Sequence, residues 1–96
     1  MANYVVLANF TDQGIKGIKD TAVRAKGFRE AAQKMGARVK EIFWTLGAYD
    51  VVLTMEAPDD ETAAALLMKV GALGNLKSQT LRAFSETEVS ALVSRL

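Results

Sequence analysis

Residues 43–52 read FWTLGAYDVV. Two β-branched and aromatic runs meet here with only Gly47-Ala48 between them, and a two-residue connection with Gly first suits a type II′ hairpin turn. That turn sets a register: Leu46 opposite Tyr49, Thr45 opposite Asp50, Trp44 opposite Val51, Phe43 opposite Val52. Strand alternation sorts the hairpin into two faces. Ile42, Trp44, Leu46, Tyr49, Val51, Leu53 and Met55 make an apolar face expected under helices. Glu41, Phe43, Thr45, Asp50, Val52, Thr54 and Glu56 make a mixed face that a helical layer would leave open. Gly47 is the structural turn residue, because such a turn needs a positive φ there.

Working outward, NYVVLANF (3–10) is apolar on both faces and reads as a central strand. Thr11 is a good N-cap, with Asp12 in the first turn where the helix dipole favours an acid. Ile15, Ile18, Ala22, Ala25, Phe28, Ala32 and Met35 recur at helical spacing. One straight helix over 12–35 would be roughly 36 Å long and would overshoot a strand of about 27 Å. A second cap at Asp20-Thr21 therefore implies a short helix, a break, then a main helix from about 22 to Gly36. RVKEIFWTL (38–46) and YDVVLTME (49–56) are the hairpin strands. Pro58-Asp59-Asp60 starts a second helix that stops near Gly74, NLKSQTLRAF (75–84) is the last strand, and Ser85 with Glu88 forms a capping box for a C-terminal helix.

The order β-α-β-β-α-β-α over residues 1–96 describes one α+β, ferredoxin-like sandwich of the dimeric α/β-barrel type. Right-handed crossovers place the first and third strands in the centre. With the first strand taken as parallel to the third, Asp50 begins beside Asn3 and Tyr4, and Arg82 ends at the same rim about 10 Å away, two strand spacings. Asn9, Thr11 and Gly14 then fall at the opposite rim.

Composition narrows the chemistry. The chain has no cysteine, which excludes a disulfide-stapled scaffold, and no histidine, which removes the commonest metal ligand and general base. No metal, no cofactor and no Ser-His-Asp triad is expected. The formal net charge of +1, without basic patches interleaved with aromatics, gives no argument for nucleic acid. No apolar run is long enough to span a membrane and no signal-like leader opens the chain, so a cytoplasmic location is expected. Residues 1–40 carry eight Lys/Arg against three Asp/Glu, and residues 41–96 carry four against eight. The plain consequence is a basic helix beside an acidic one; the sharper one is attraction of an anionic ligand to the first helix.

An open sheet face carrying Phe43 and Val52 should not sit in water, and these two are the candidate interface residues of a homo-oligomer. The run Ala63–Met68 is apolar all round, so its surplus side must touch the C-terminal helix or another subunit. Thr45, Tyr49, Asp50 and Arg82 are the candidate ligand-binding residues. Asp50 can cap the turn or anchor a small zwitterion or carboxylate shared with Arg82. Asp59, Asp60 and Glu61 are helix-dipole partners rather than metal ligands.

NFTDQGI, FWTLGAYDVVLTMEAPDD and GNLKSQTLRAF together resemble the GYD-domain family over roughly residues 3–90. The resemblance implies a ferredoxin-like, dimeric fold and imports no settled activity. Gly47, Tyr49, Asp50 and Thr80 also match a pattern similar to the effector-binding domain of Lrp/AsnC transcription regulators, which implies pairing through sheets and amino-acid binding at subunit interfaces. No helix-turn-helix is found here, so direct DNA binding is not implied. The favoured reading is a homo-oligomeric small-molecule-binding or regulatory module with its pocket near the turn, at a subunit interface. The alternatives are a cofactor-independent enzyme, such as a small oxygenase or isomerase, and a purely structural assembly subunit.

Overall fold

A computed structural model describes all residues 1–96. The elements run β1 (Ala2–Phe10), α1 (Asp12–Lys16), a 3₁₀ turn (Ile18–Asp20), α2 (Thr21–Lys34), β2 (Arg38–Trp44), β3 (Val51–Ala57), α3 (Asp60–Gly71), β4 (Leu76–Ala83) and α4 (Glu86–Val93). The four strands form one sheet in the order β2-β3-β1-β4. The caps lie where residue chemistry puts them. Thr11 accepts from the Gly14 N–H, Asp59 from the Thr62 N–H, and Ser85 with Glu88 closes a reciprocal capping box. The break between α1 and α2 also stands, and it re-aims the helical stripe. Ala32 is buried and Phe28 and Met35 pack on the core, whereas Ile15 and Ile18 remain exposed.

Every neighbouring strand pair is antiparallel, including β1 with β3. This corrects the expected parallel pairing. A crossover helix makes β1 and β2 parallel, and the hairpin reverses β3 against β2, so β3 must also oppose β1. Asp50 therefore sits beside the end of β1, not its beginning.

Tyr4, Val6, Leu53, Met55 and Ala57 of the central strands are buried against Ala32, Ala63 and Leu66 of the helices. The registers Phe43–Val52 and Trp44–Val51 are those expected. A bulge between Val39 and Glu41 changes the face of the strand beyond it. Val39 is buried and Ile42 also packs inward, three residues apart, which strict alternation forbids.

The opposite sheet face has no cover. Registers Phe43–Val52–Leu7–Gln79 and Glu41–Thr54–Val5–Leu81 run across it, so the apolar Phe43, Val52, Leu7, Val5 and Leu81 lie side by side, with Gln79 and Glu41 at the edges. Phe43 is 52% exposed and Leu81 41%. Met68 on the outer side of α3 is 73% exposed, so α4 does not cover that helix. No residue of α4 is buried, and Val89, Leu92, Val93 and Leu96 form an exposed stripe. No helix is long and apolar enough to cross a membrane.

Candidate binding site at the turn rim

The Gly-x-Tyr-Asp loop is wider than a two-residue turn. β2 stops at Trp44 and β3 starts at Val51, and Leu46 and Tyr49 do not extend the ladder. Local competition for hydrogen bonds explains the widening. The Thr45 N–H donates to the Asp50 carbonyl (2.8 Å), but the Asp50 N–H donates across to Ala8 of β1 (2.9 Å). The Thr45 hydroxyl meanwhile donates to the Tyr49 carbonyl (2.6 Å). Gly47 keeps the expected left-handed backbone, φ +107°.

Asp50 ties this loop to the end of β1. Its Oδ2 accepts from the Phe10 N–H (2.9 Å) and, more weakly, from Asn9 Nδ2 (3.4 Å). Asn9 Nδ2 also donates to the Ala48 carbonyl (2.8 Å). An asparagine in place of Asp50 could still present an oxygen to Phe10, whereas an alanine would leave that N–H without its charged acceptor. We therefore expect Asp50→Ala to cost about 1.5–3 kcal/mol and Asp50→Asn much less. Thermal denaturation of the two variants measures this; equal losses would show that the carboxylate does more than accept one backbone bond.

Beside this loop a second junction closes the same rim. The Thr11 N–H donates to the Asn75 carbonyl (3.1 Å), and the Thr11 hydroxyl donates to the Gly74 carbonyl (2.5 Å). Gln13 Nε2 reaches the Leu73 carbonyl (2.9 Å) and Asn75 Oδ1 (3.0 Å). Gly14 lies so close beneath Asn75 that a Cβ there would stand 2.1 Å from the Asn75 carbonyl oxygen.

Thr45, Tyr49 and Asp50 are thus brought together, but Arg82 is not. Arg82 pairs with Tyr4 across β4 and β1, at the far rim. Its guanidinium lies 4.4 Å from the Phe84 ring centre, reaches Glu88 (3.7 Å) and donates to the Asn3 and Ala83 carbonyls. Glu88 also accepts from Asn3 Nδ2 (2.9 Å), so Arg82 and Asn3 pin the first turn of α4. The Ser85 N–H, then Asn3, hold the Glu88 carboxyl below its ordinary value. At this rim Tyr4 donates to Asp60 (2.5 Å). Burial first, then that bond, pushes the Tyr4 phenol up to about 12. Tyr4 therefore stays a neutral donor near pH 7. Asp59 and Asp60 are engaged with Thr62 and Tyr4, and no cluster of three acidic side chains is placed to hold a metal ion.

Sequence reasoning missed a cleft on the helix side of the turn rim. The core fills the half of the sheet nearer Tyr4 and Met55. In the other half α2 and α3 stand apart and leave a cavity of about 460 Å³. Its floor is Val6, Ala8, Val51 and Leu53, and Trp44 stands at its edge, its indole N–H donating to the Thr21 hydroxyl (2.9 Å). The available signal was a helix rich in small residues, with Ala25, Gly27 and Ala31 all lining the cavity.

A family model described as the GYD domain matches residues 4–93. Among curated proteins, the "glutamine synthetase and cystathionine beta-lyase binding protein" of Thermus thermophilus is 31% identical, over 100% of this chain and 99% of its own. Among solved structures, MtbAldR superposes with a TM-score of 0.69 at 15% identity, covering 88% of this chain. A feast or famine regulatory protein from M. tuberculosis, complexed with L-methionine, gives 0.67 at 14% identity and the same coverage. This chain spans about half the length of each regulator, 52% and 51%, and at such identity the likeness establishes the shared ferredoxin-like α+β fold.

Proposed function

This chain belongs to the GYD-domain family, and from that premise we propose that it works as a homo-oligomeric binding module without catalysis of its own. The observation that carries the reading is the uncovered sheet face. Phe43, Val52, Leu7, Val5 and Leu81 form a continuous apolar patch on a chain too small to bury it. Thr54 Oγ1, on the same face, is shielded from solvent and has no hydrogen-bond partner within the chain. A buried hydroxyl of this kind ordinarily has one, but it lies too deep for a second copy to reach, so the apolar patch alone carries the reading. The exposed stripe of α4, held only at its first turn, adds a further surface for the partner copy. This pairing accounts for the exposed apolar residues of the open sheet face, Phe43 and Leu81.

The binding role rests on similarity as well as shape. The Thermus thermophilus relative is named for binding two enzymes. We extend that role to this chain in general terms: an assembled protein presents the Gly-x-Tyr-Asp rim, with Thr45, Tyr49 and Asp50, to a ligand or a protein partner. The bonds at that rim are structural ones, and the lack of histidine leaves acid–base chemistry without its usual agent. Both points favour binding over an oxygenase or isomerase.

Self-association has a thermodynamic signature. If the folded chain is stabilised by a second copy, its melting temperature rises with protein concentration. We expect a rise of several degrees between about 1 and about 100 µM. A melting temperature independent of concentration over that range would overturn the assembly.

A further inference from the structure

We propose that the cleft between α2 and α3 is a binding site for a small organic acid with an apolar body, such as a medium-chain carboxylate. Three observations bear on it. The first is room. The cavity of about 460 Å³ lies within the range of small-molecule sites, roughly 300–1,000 Å³. Gly27 and Gly71, both in its wall, are solvent-exposed, and a Cβ built on either would meet nothing within 4 Å.

The second is the sequence cost of that room. Gly27 lies inside a 14-residue helix, where glycine is unfavourable relative to alanine. No close approach requires it, because the space beside it is empty. Gly27 is solvent-exposed and lines the cleft, so a larger side chain there would stand at its mouth.

The third is charge. The wall carries two cations, Arg24 and Lys69, and no acidic side chain. The guanidinium of Arg24 is partly committed, donating to the Gly14 and Gly17 carbonyls at the end of α1. Lys69 makes no ion pair within the chain. The floor is apolar and the remaining polar groups, Thr21, Asn75 and Ser78, are neutral. An apolar tail lying on Val6, Ala8 and Val51 would leave its carboxylate among the cations. This site is on the helix face of the sheet, so it is independent of the open-face assembly proposed above.

Trp44 makes the test specific, since it is the only tryptophan and borders the cleft. The probes are decanoate, octanoate and decyltrimethylammonium, titrated below micelle-forming concentrations while Trp44 emission is recorded. We expect a saturable change with decanoate. Octanoate should bind about 15-fold more weakly, because each buried methylene contributes about fourfold. Lys69→Glu should weaken decanoate by about fivefold and strengthen the ammonium probe, since the exposed charge is reversed. Gly27→Leu should abolish the response to decanoate without lowering the melting temperature, because leucine is the better helix former and fills the space. The proposal is overturned by no saturable change with decanoate, by equal binding of both head groups to the wild type, or by unaltered decanoate binding in a folded Gly27→Leu protein.

Discussion

Gly14→Ala is expected to destabilise the protein by about 3 kcal/mol or more, a lowering of the melting temperature by about 12–24 °C for a chain of this size. The cause is a close approach. The new Cβ would fall 2.1 Å from the Asn75 carbonyl oxygen and 3.0 Å from its carbon. Both belong to backbone, so no rotamer change relieves the overlap. Moving the loop away would break the Thr11 N–H bond to Asn75 and the Thr11 hydroxyl bond to Gly74, and would leave buried or half-buried groups without partners. Gly27→Ala is the matched control, because its Cβ meets nothing and its helix gains a better former. It should be neutral or slightly stabilising. If Gly14→Ala melted like the control, the α1 and β4 junctions could not be packed as described.

Leu81→Glu is expected to abolish self-association while leaving the subunit folded. Leu81 lies in the open-face row with Val5 and Thr54 and is partly exposed in the single chain, so a charge there is tolerated by the subunit itself. In a two-fold assembly the same residue lies in the interface on both copies. Each glutamate would be taken out of water without a partner, at about 3 kcal/mol or more. Two copies weaken the dimer by about 6 kcal/mol, or roughly 10⁴-fold in Kd. The variant should sediment as a monomer, keep its circular dichroism, and lose the concentration dependence of melting. A variant that still sediments like the wild type would remove this face from the interface.

Much of the fold was legible because its signals are local. Thr11, Asp59 and Ser85 cap helices through bonds to residues three positions away, and the sequence shows those spacings directly. The Phe43–Val52 and Trp44–Val51 registers follow from loop length, even though the loop itself opens wider. That widening depends on the Asp50 N–H choosing Ala8, a residue 42 positions away, and no local rule supplies it. The bulge at Val39/Glu41 carries no glycine to mark it. The misplacement of Arg82 is of another kind. A crossover followed by a hairpin already requires β3 to oppose β1, so the parallel pairing contradicted the fold it was read with. Correcting it moves Asp50 to the Asn9 rim and separates it from Arg82. The cleft was hidden because sequence patterns report which residues turn inward, not whether they meet.

The proposal of a paired open face is tested most directly by the mass of the wild-type protein at sedimentation equilibrium, at micromolar concentration. A chain of 10.4 kDa whose apolar rows Phe43–Val52–Leu7 and Val5–Leu81 are covered by a second copy should give at least twice that mass. A single species of 10.4 kDa across the concentration range would contradict it.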